Sequence, residues 1–134
     1  MQLKTSRKSG FTLVEIMIVV AIIALLAAIA IPNLLKAKIS ANDALAKSTL
    51  RTLSTASETF ATSNNGSYPD AVADLTGATP PYLNKDYCSG GPYAGFNYAC
   101  TWTAGSYSFV ATPATVGASG TTIYTMTTGG ILTE

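Results

Sequence analysis

Apolar residues fill the chain almost without interruption from Ile16 to Leu35, thin to a helical spacing as far as about Ala61, and alternate with polar residues from Phe96 onward. These three regimes predict three kinds of structure. Ile16 to Leu35 is a run of twenty residues without a charge, dominated by Ile, Val, Leu and Ala, which is enough to cross a bilayer as a helix. Ala21, Ala24, Ala27, Ala28 and Ala30 keep much of it slim, which suits close helix packing. From Lys36 to Ala61 there is no Gly or Pro, so the helix is expected to continue and become amphipathic. At about 100° per residue, Lys36, Asp43, Lys47, Arg51 and Glu58 fall within about 80° of one another, while Ala46, Leu53, Ala56 and Phe60 lie on a different side. One face is therefore expected to pack on a globular domain, and the mixed-charge face to meet solvent or neighbouring chains. A single helix over Phe11 to Ala61 would be about 75 Å long, more than one domain of this size covers.

The turn residues Asn64-Asn65-Gly66-Ser67-Tyr68-Pro69 end that helix. A loop-rich connector with Pro80-Pro81 follows, in which Ala71 to Leu75 is compatible with a short helical turn capped by Asp70 or Asp74. Phe96, Tyr98, Cys100 and Trp102 then alternate with Asn97, Ala99 and Thr101, as a half-buried strand requires. Tyr107 to Thr112 predicts a second strand, Thr121 to Thr125 a third, and Ile131-Leu132 after Gly129-Gly130 a short last one. The fold class is α+β, a small antiparallel meander laid across the amphipathic half of a long N-terminal helix.

Charge changes the picture at the N-terminus. Lys4, Arg7 and Lys8 precede the apolar run, which predicts a cytoplasmic N-terminus with the rest of the chain emerging on the far side of the membrane. Without the first ten residues the chain carries five basic and seven acidic groups, a net charge of −2, with no basic cluster of the kind that binds nucleic acid. There is no His, the commonest general base and metal ligand, and no catalysis or cofactor is expected. An ordinary secretory signal has a shorter apolar core and a small-residue cleavage site, whereas here the run ends in Pro32-Asn33-Leu34-Leu35 and the helical pattern goes on.

At the junction the chain reads Lys8-Ser9-Gly10-Phe11-Thr12-Leu13-Val14-Glu15. From Lys8 to Leu35 it resembles the class III signal of type IV prepilins and the pseudopilins of type II secretion. The resemblance implies that a prepilin peptidase cuts after Gly10, and that the new N-terminal amine of Phe11 is methylated. It also implies that Glu15 pairs with the N-terminus of a neighbouring subunit during assembly. Independently, an ionisable residue at the edge of a membrane helix costs free energy and asks for a partner, and a carboxylate near a helix N-terminus is favoured by the macrodipole. Pro32 removes a backbone hydrogen bond and is expected to kink or loosen the preceding turn, where filaments of this family lose helical structure.

Residues 1–10 are thus expected to form a leader, 11–35 a transmembrane and assembly helix, and 36–62 its amphipathic half. Residues 63–95 are the expected αβ loop and 96–134 the antiparallel head. Ten aromatics, Tyr68, Tyr82, Tyr87, Tyr93, Phe96, Tyr98, Trp102, Tyr107, Phe109 and Tyr124, are spaced to cover a small core. Cys88 and Cys100 are the only cysteines; on the far side of the membrane they are expected to form a disulfide, stabilising the head by about 3 kcal/mol. Asp70, Asp74, Asp86 and Glu134 form no dense cluster in sequence, so no bound calcium or other metal is expected. The implied function is that of a filament subunit that polymerises with copies of itself, served by the prepilin peptidase, an inner-membrane assembly platform and minor pilins. The alternatives are a type II secretion pseudopilin and a lone membrane-anchored periplasmic binding domain.

Overall fold

A computed structural model describes residues 10–134. Residues 1–9, and with them nearly all of the expected leader, lie outside the described residues. The elements run α1 (Leu13–Ser63), α2 (Val72–Thr76), β1 (Phe96–Thr103), β2 (Ser106–Pro113), β3 (Tyr124–Thr127) and β4 (Ile131–Thr133). The chain divides into two compact units between Leu35 and Lys36.

In the first unit, α1 passes through Pro32 without a break. The expected loosening there does not interrupt the helix. Nearly every residue of the segment is exposed, with Leu13, Ile18, Leu25, Leu26, Ile31 and Leu34 all more than half accessible.

In the second unit the strands form one antiparallel sheet in the order β1-β2-β3-β4. A two-residue turn at Ala104-Gly105 aligns Cys100 with Phe109 and Trp102 with Tyr107. The alternation foreseen in β1 and β2 buries Phe96, Tyr98, Tyr107, Phe109 and Ala111 on one face. That face packs on Ala46, Leu50, Leu53 and Ala56 of α1, with Leu75, Leu83, Tyr124 and Met126 completing the core. The remaining aromatics, Tyr68, Tyr82, Tyr87, Tyr93 and Trp102, pack around it half-buried, joined by Phe60. Trp102 meets Phe109 edge-on at 5.3 Å and Tyr107 stacks on Phe109 at 4.8 Å.

Two expectations need correction. The third strand is β3, Tyr124–Thr127, and not Thr121 to Thr125. Thr121 is held in the preceding loop, where its N–H and hydroxyl donate to Asp43 at 3.3 and 3.0 Å. The neighbouring Gly120 is pressed so closely on Phe96 that a Cβ there would lie 2.6 Å from Cε2 of its ring. The charged stripe is also not a free face. Asp43 binds Thr121, Lys47 pairs with Glu134 and lies 4.8 Å from the Tyr124 ring centre, and Glu58 binds one group of the αβ loop and two of the head. The stripe borders the buried face, so three of its five charges reach residues beyond the helix.

The outward face of α1 is lined with hydroxyls. Thr52, Thr59, Thr62 and Ser63 are exposed and each donates to the carbonyl four residues back, at 3.0, 2.7, 2.8 and 3.1 Å.

Candidate assembly site

The segment that bears the expected processing and assembly residues begins in an extended stretch at Gly10, Phe11 and Thr12 and enters α1 at Leu13. Gly10 has nothing within 4 Å of the position a Cβ would take, and Phe11 is 83% exposed, so the bond between them is open to an enzyme. Thr12 precedes the first helical residue and Glu15 stands three residues on. The Thr12 N–H and hydroxyl both donate to Glu15 Oε2, at 2.8 and 2.7 Å, and the Glu15 N–H donates to Thr12 Oγ1 at 3.2 Å. This is a reciprocal capping box, which satisfies backbone donors that the helix start would otherwise leave unpaired. Thr12 was absent from the candidate residues, although Thr-x-x-Glu before an apolar run is a recognisable signature. The box fixes where the helix begins and places the Glu15 carboxylate one turn from the Gly10–Phe11 bond.

From Leu13 to Leu35 the helix presents large apolar side chains on every side. One helix in the described residues is long and apolar enough to cross a membrane, and it is this one. Exposed apolar surface of that extent is rare on soluble monomers and marks a membrane or a protein partner. From Ile16 to Leu35 the two environments are chemically alike, because neither a lipid tail nor the same stretch of an identical helix offers a charge.

Within the second unit, the αβ loop and the sheet are tied to α1 by polar contacts around Glu58. Its carboxylate accepts from the Tyr68 hydroxyl at 3.0 Å, the Tyr107 hydroxyl at 2.9 Å and the Gly129 N–H at 3.1 Å. Tyr107 in turn lies 2.7 Å from Ser54 Oγ and accepts from the Gly130 N–H at 3.2 Å. Gly129 and Gly130 both have φ near +80°, at 80° and 73°, a conformation that side-chain-bearing residues rarely take. This geometry aims the Gly129 N–H at Glu58 of α1 and the Gly130 N–H at the Tyr107 hydroxyl of β2. Burial alone would raise the Glu58 carboxyl, but the donations from Gly129, Tyr107 and Tyr68 outweigh it and hold the group below the ordinary carboxylate range.

Cys88 and Cys100 are joined as a disulfide with Cα atoms 5.7 Å apart. It pins the αβ loop to β1. Asp74 accepts from the N–H groups of Asp70 and Ala71 at 3.0 and 3.1 Å, and Asp86 from those of Cys88 and Ser89 at 2.7 and 3.0 Å. These two acids are thus committed to loop backbone. Of the pair weighed as caps of the short helix, Asp74 fills that role.

The prokaryotic N-terminal methylation motif matches residues 5–31. The chain is 54% identical over 54 residues to the type IV major pilin protein PilA of Myxococcus xanthus, a match covering 40% of this chain and 24% of that protein. It is 47% identical over 66 residues to the type IV wide pilus major component PilA4 of Thermus thermophilus, covering 49% of this chain and 50% of the relative. The chain therefore spans half or less of the curated relatives it matches. No solved structure matches it. The chain thus bears the prokaryotic N-terminal methylation motif and is similar, over up to half its length, to type IV major pilins.

Proposed function

We propose that this chain is the structural subunit of a type IV pilus-like filament, serving adhesion, motility or DNA uptake. It is held in the inner membrane by residues 11–35 and released into the filament after cleavage between Gly10 and Phe11. The observation that carries the reading is the helix from Leu13 to Leu35, exposed and apolar on all sides, directly after an open Gly10–Phe11 bond and a Glu15-capped first turn. A simple membrane anchor needs neither the exposed glycine nor the acid. In the membrane the segment is solvated by lipid. In the filament the same surface is solvated by copies of itself, so polymerisation exchanges one apolar surround for another and adds helix packing.

Glu15 supplies the directional contact in this reading. Cleavage creates an amine at Phe11, and the carboxylate of a neighbouring subunit is its partner. The prepilin peptidase and an inner-membrane assembly platform are the implied partners, with minor pilins as companions.

Mass spectrometry of sheared surface fibres tests the proposal, with electron microscopy of cells with and without the gene. Long fibres that depend on the gene, and a mature chain beginning with methylated Phe11, are expected. Gly10→Val should leave full-length precursor in the membrane, because the peptidase requires a minimal side chain at the cut. Fibres unchanged by loss of the gene, or fibre subunits that still begin at Met1, would refute it.

A further inference from the structure

The second unit begins at Lys36, where the apolar segment ends, and the contacts along α1 fix which end of the head lies beside that start. Tyr107 and Gly129 meet α1 far along it, at Ser54 and Glu58. The loop between β2 and β3 meets it much nearer to Lys36. There the Asn42 side chain donates to the Ser119 carbonyl at 2.8 Å, and Asp43 accepts from the Thr121 N–H and hydroxyl at 3.3 and 3.0 Å. Gly95, just before β1, is pressed on the same place, where a Cβ would lie 2.8 Å from Cβ of Ser119. Residues 114–121 therefore cap the end of the head by which the chain enters it.

This loop is built to leave water at little cost. No charged residue occurs between Asp86 and Glu134, so the loop and the four strands carry no charge. Its N–H groups are spent inside the head: Ala114 donates to the Gly95 carbonyl at 2.9 Å, Thr115 to Ser119 Oγ at 2.9 Å, and Gly117 to the Gly120 carbonyl at 2.8 Å. Ala118 and Ser119 both donate to the Thr115 carbonyl, at 3.2 and 2.9 Å. Donors already paired lose little when an apolar or interfacial surround replaces water. Between them Val116 is 74% exposed, more than Leu45, Ile123 or Ile131, the other large apolar side chains that the second unit exposes. Lys36 and Lys38 are exposed and make no ion pair among the described residues. Lys36 lies within about 20° of Asp43 around α1 and about two turns before it, so this cation shares the side of the helix that holds the loop.

We propose that residues 114–121 dock on the anionic phospholipid headgroups of the leaflet at which the second unit emerges, with Val116 entering the interface and Lys36 and Lys38 pairing with phosphates. The proposal rests on the membrane reading of residues 11–35. The charges are complementary, since each Lys near an anionic leaflet favours contact about fivefold, and the acid at this end, Asp43, is held by Thr121. Asn42 stands six residues after Lys36, about 9 Å along the helix, and a headgroup layer is about 5–7 Å deep. A lean of about 20°, ordinary for a single-span helix, lowers a loop about 10 Å from the helix axis by about 3 Å. That closes the remaining distance without any change in the head.

The test uses the full-length chain, isotopically labelled, in phosphatidylglycerol nanodiscs that carry a small fraction of gadolinium-chelate headgroup lipid. Relaxation enhancement at the amides of Val116, Gly117 and Ala118 is compared with that at Asn42 and Asp43, which stand at the same level of α1, and at Gly129 and Gly130, at the far end. Docking predicts an enhancement in the loop severalfold above that at Asn42 and Asp43, and little at Gly129 and Gly130. The loop signal should fall to the level of Asn42 and Asp43 in Val116→Asp, and should weaken in discs of phosphatidylcholine. Val116 is exposed, so amide shifts outside the loop should stay unchanged and vouch for the fold of the variant. A spin label on the lipid tails, read at Val20 to Leu26, separates the two readings. Enhancement there with none in the loop overturns the docking alone, whereas none at either place overturns the membrane reading with it. The docking is also overturned if the loop is enhanced no more than Asn42 and Asp43, if Val116→Asp behaves like the parent, or if both lipids give equal signals.

Discussion

Replacing Glu58 by Ala removes one acceptor from three donors in three different segments: Tyr68 in the αβ loop, Tyr107 on β2 and Gly129 in the β3–β4 turn. Hydrogen bonds to a charged group contribute about 1.5–3 kcal/mol each, but the three losses do not add. Tyr68 is half-buried and Gly129 exposed, so both can turn to water. Only Tyr107, 3% exposed, loses a partner deep in the structure, and its hydroxyl still has Ser54. The expected loss is therefore about 2 kcal/mol, which lowers the Tm of a head of this size by roughly 8–16 °C. Glu58→Gln keeps an acceptor oxygen and should lose about half as much. The pH dependence separates a charge effect from a packing effect. The folded-state carboxyl lies below its ordinary value of 4.5, so its contribution is fully present above that pH and fades as pH falls through the folded value. The parent should lose Tm over this acid window more steeply than either variant. The assay is thermal unfolding of the detergent-solubilised full chain by near-ultraviolet circular dichroism at stepped pH. If Glu58→Ala melts with the parent at neutral pH and keeps the same acid slope, Glu58 does not tie the head to α1.

Glu15→Ala should leave processing intact while the ratio of sheared filament to membrane-held mature subunit collapses, and normal fibres would remove Glu15 from assembly. Alkylation of the unreduced, denatured chain should label neither Cys88 nor Cys100; reaction of both thiols would disprove the disulfide. Gly120→Ala should destabilise the head by about 1–3 kcal/mol, because the new Cβ would strike the fully buried ring of Phe96 and approach Asp43 Oδ1 to 3.0 Å. An unchanged urea midpoint would show that the loop shifts freely.

The periodic parts of this fold were legible in the sequence because period is a local property. The apolar run, the absence of Gly and Pro to Ala61, and the alternation through Phe96, Tyr98, Cys100 and Trp102 each point to one element, and each element is there. What stayed hidden depends on residues distant in the chain. Thr121, Thr122 and Ile123 have strand-forming side chains, yet Asp43 claims Thr121 and the strand begins only at Tyr124. The angular positions of Asp43, Lys47 and Glu58 locate them on the helix but do not say what lies opposite. Their partners belong to residues 68–134, which no helical wheel contains. At the candidate assembly site Gly10, Phe11 and Glu15 stood out by their unusual setting, whereas Thr12 is an ordinary residue that gains its role from the carboxylate three positions later.

The row of hydroxyls along the outward face of α1 has a consequence for wetting. A threonine that donates to its own helix has no proton left to offer, and the fold-back turns its methyl group toward the surroundings. Thr52, Thr59 and Thr62 therefore make this face drier than their composition suggests. A surface built this way stays dispersed in water as a row of leucines would not. It can also be covered without stranding a hydroxyl donor, since those protons already have acceptors. The same residues thus suit a molecule that spends part of its life facing solvent and part of it covered.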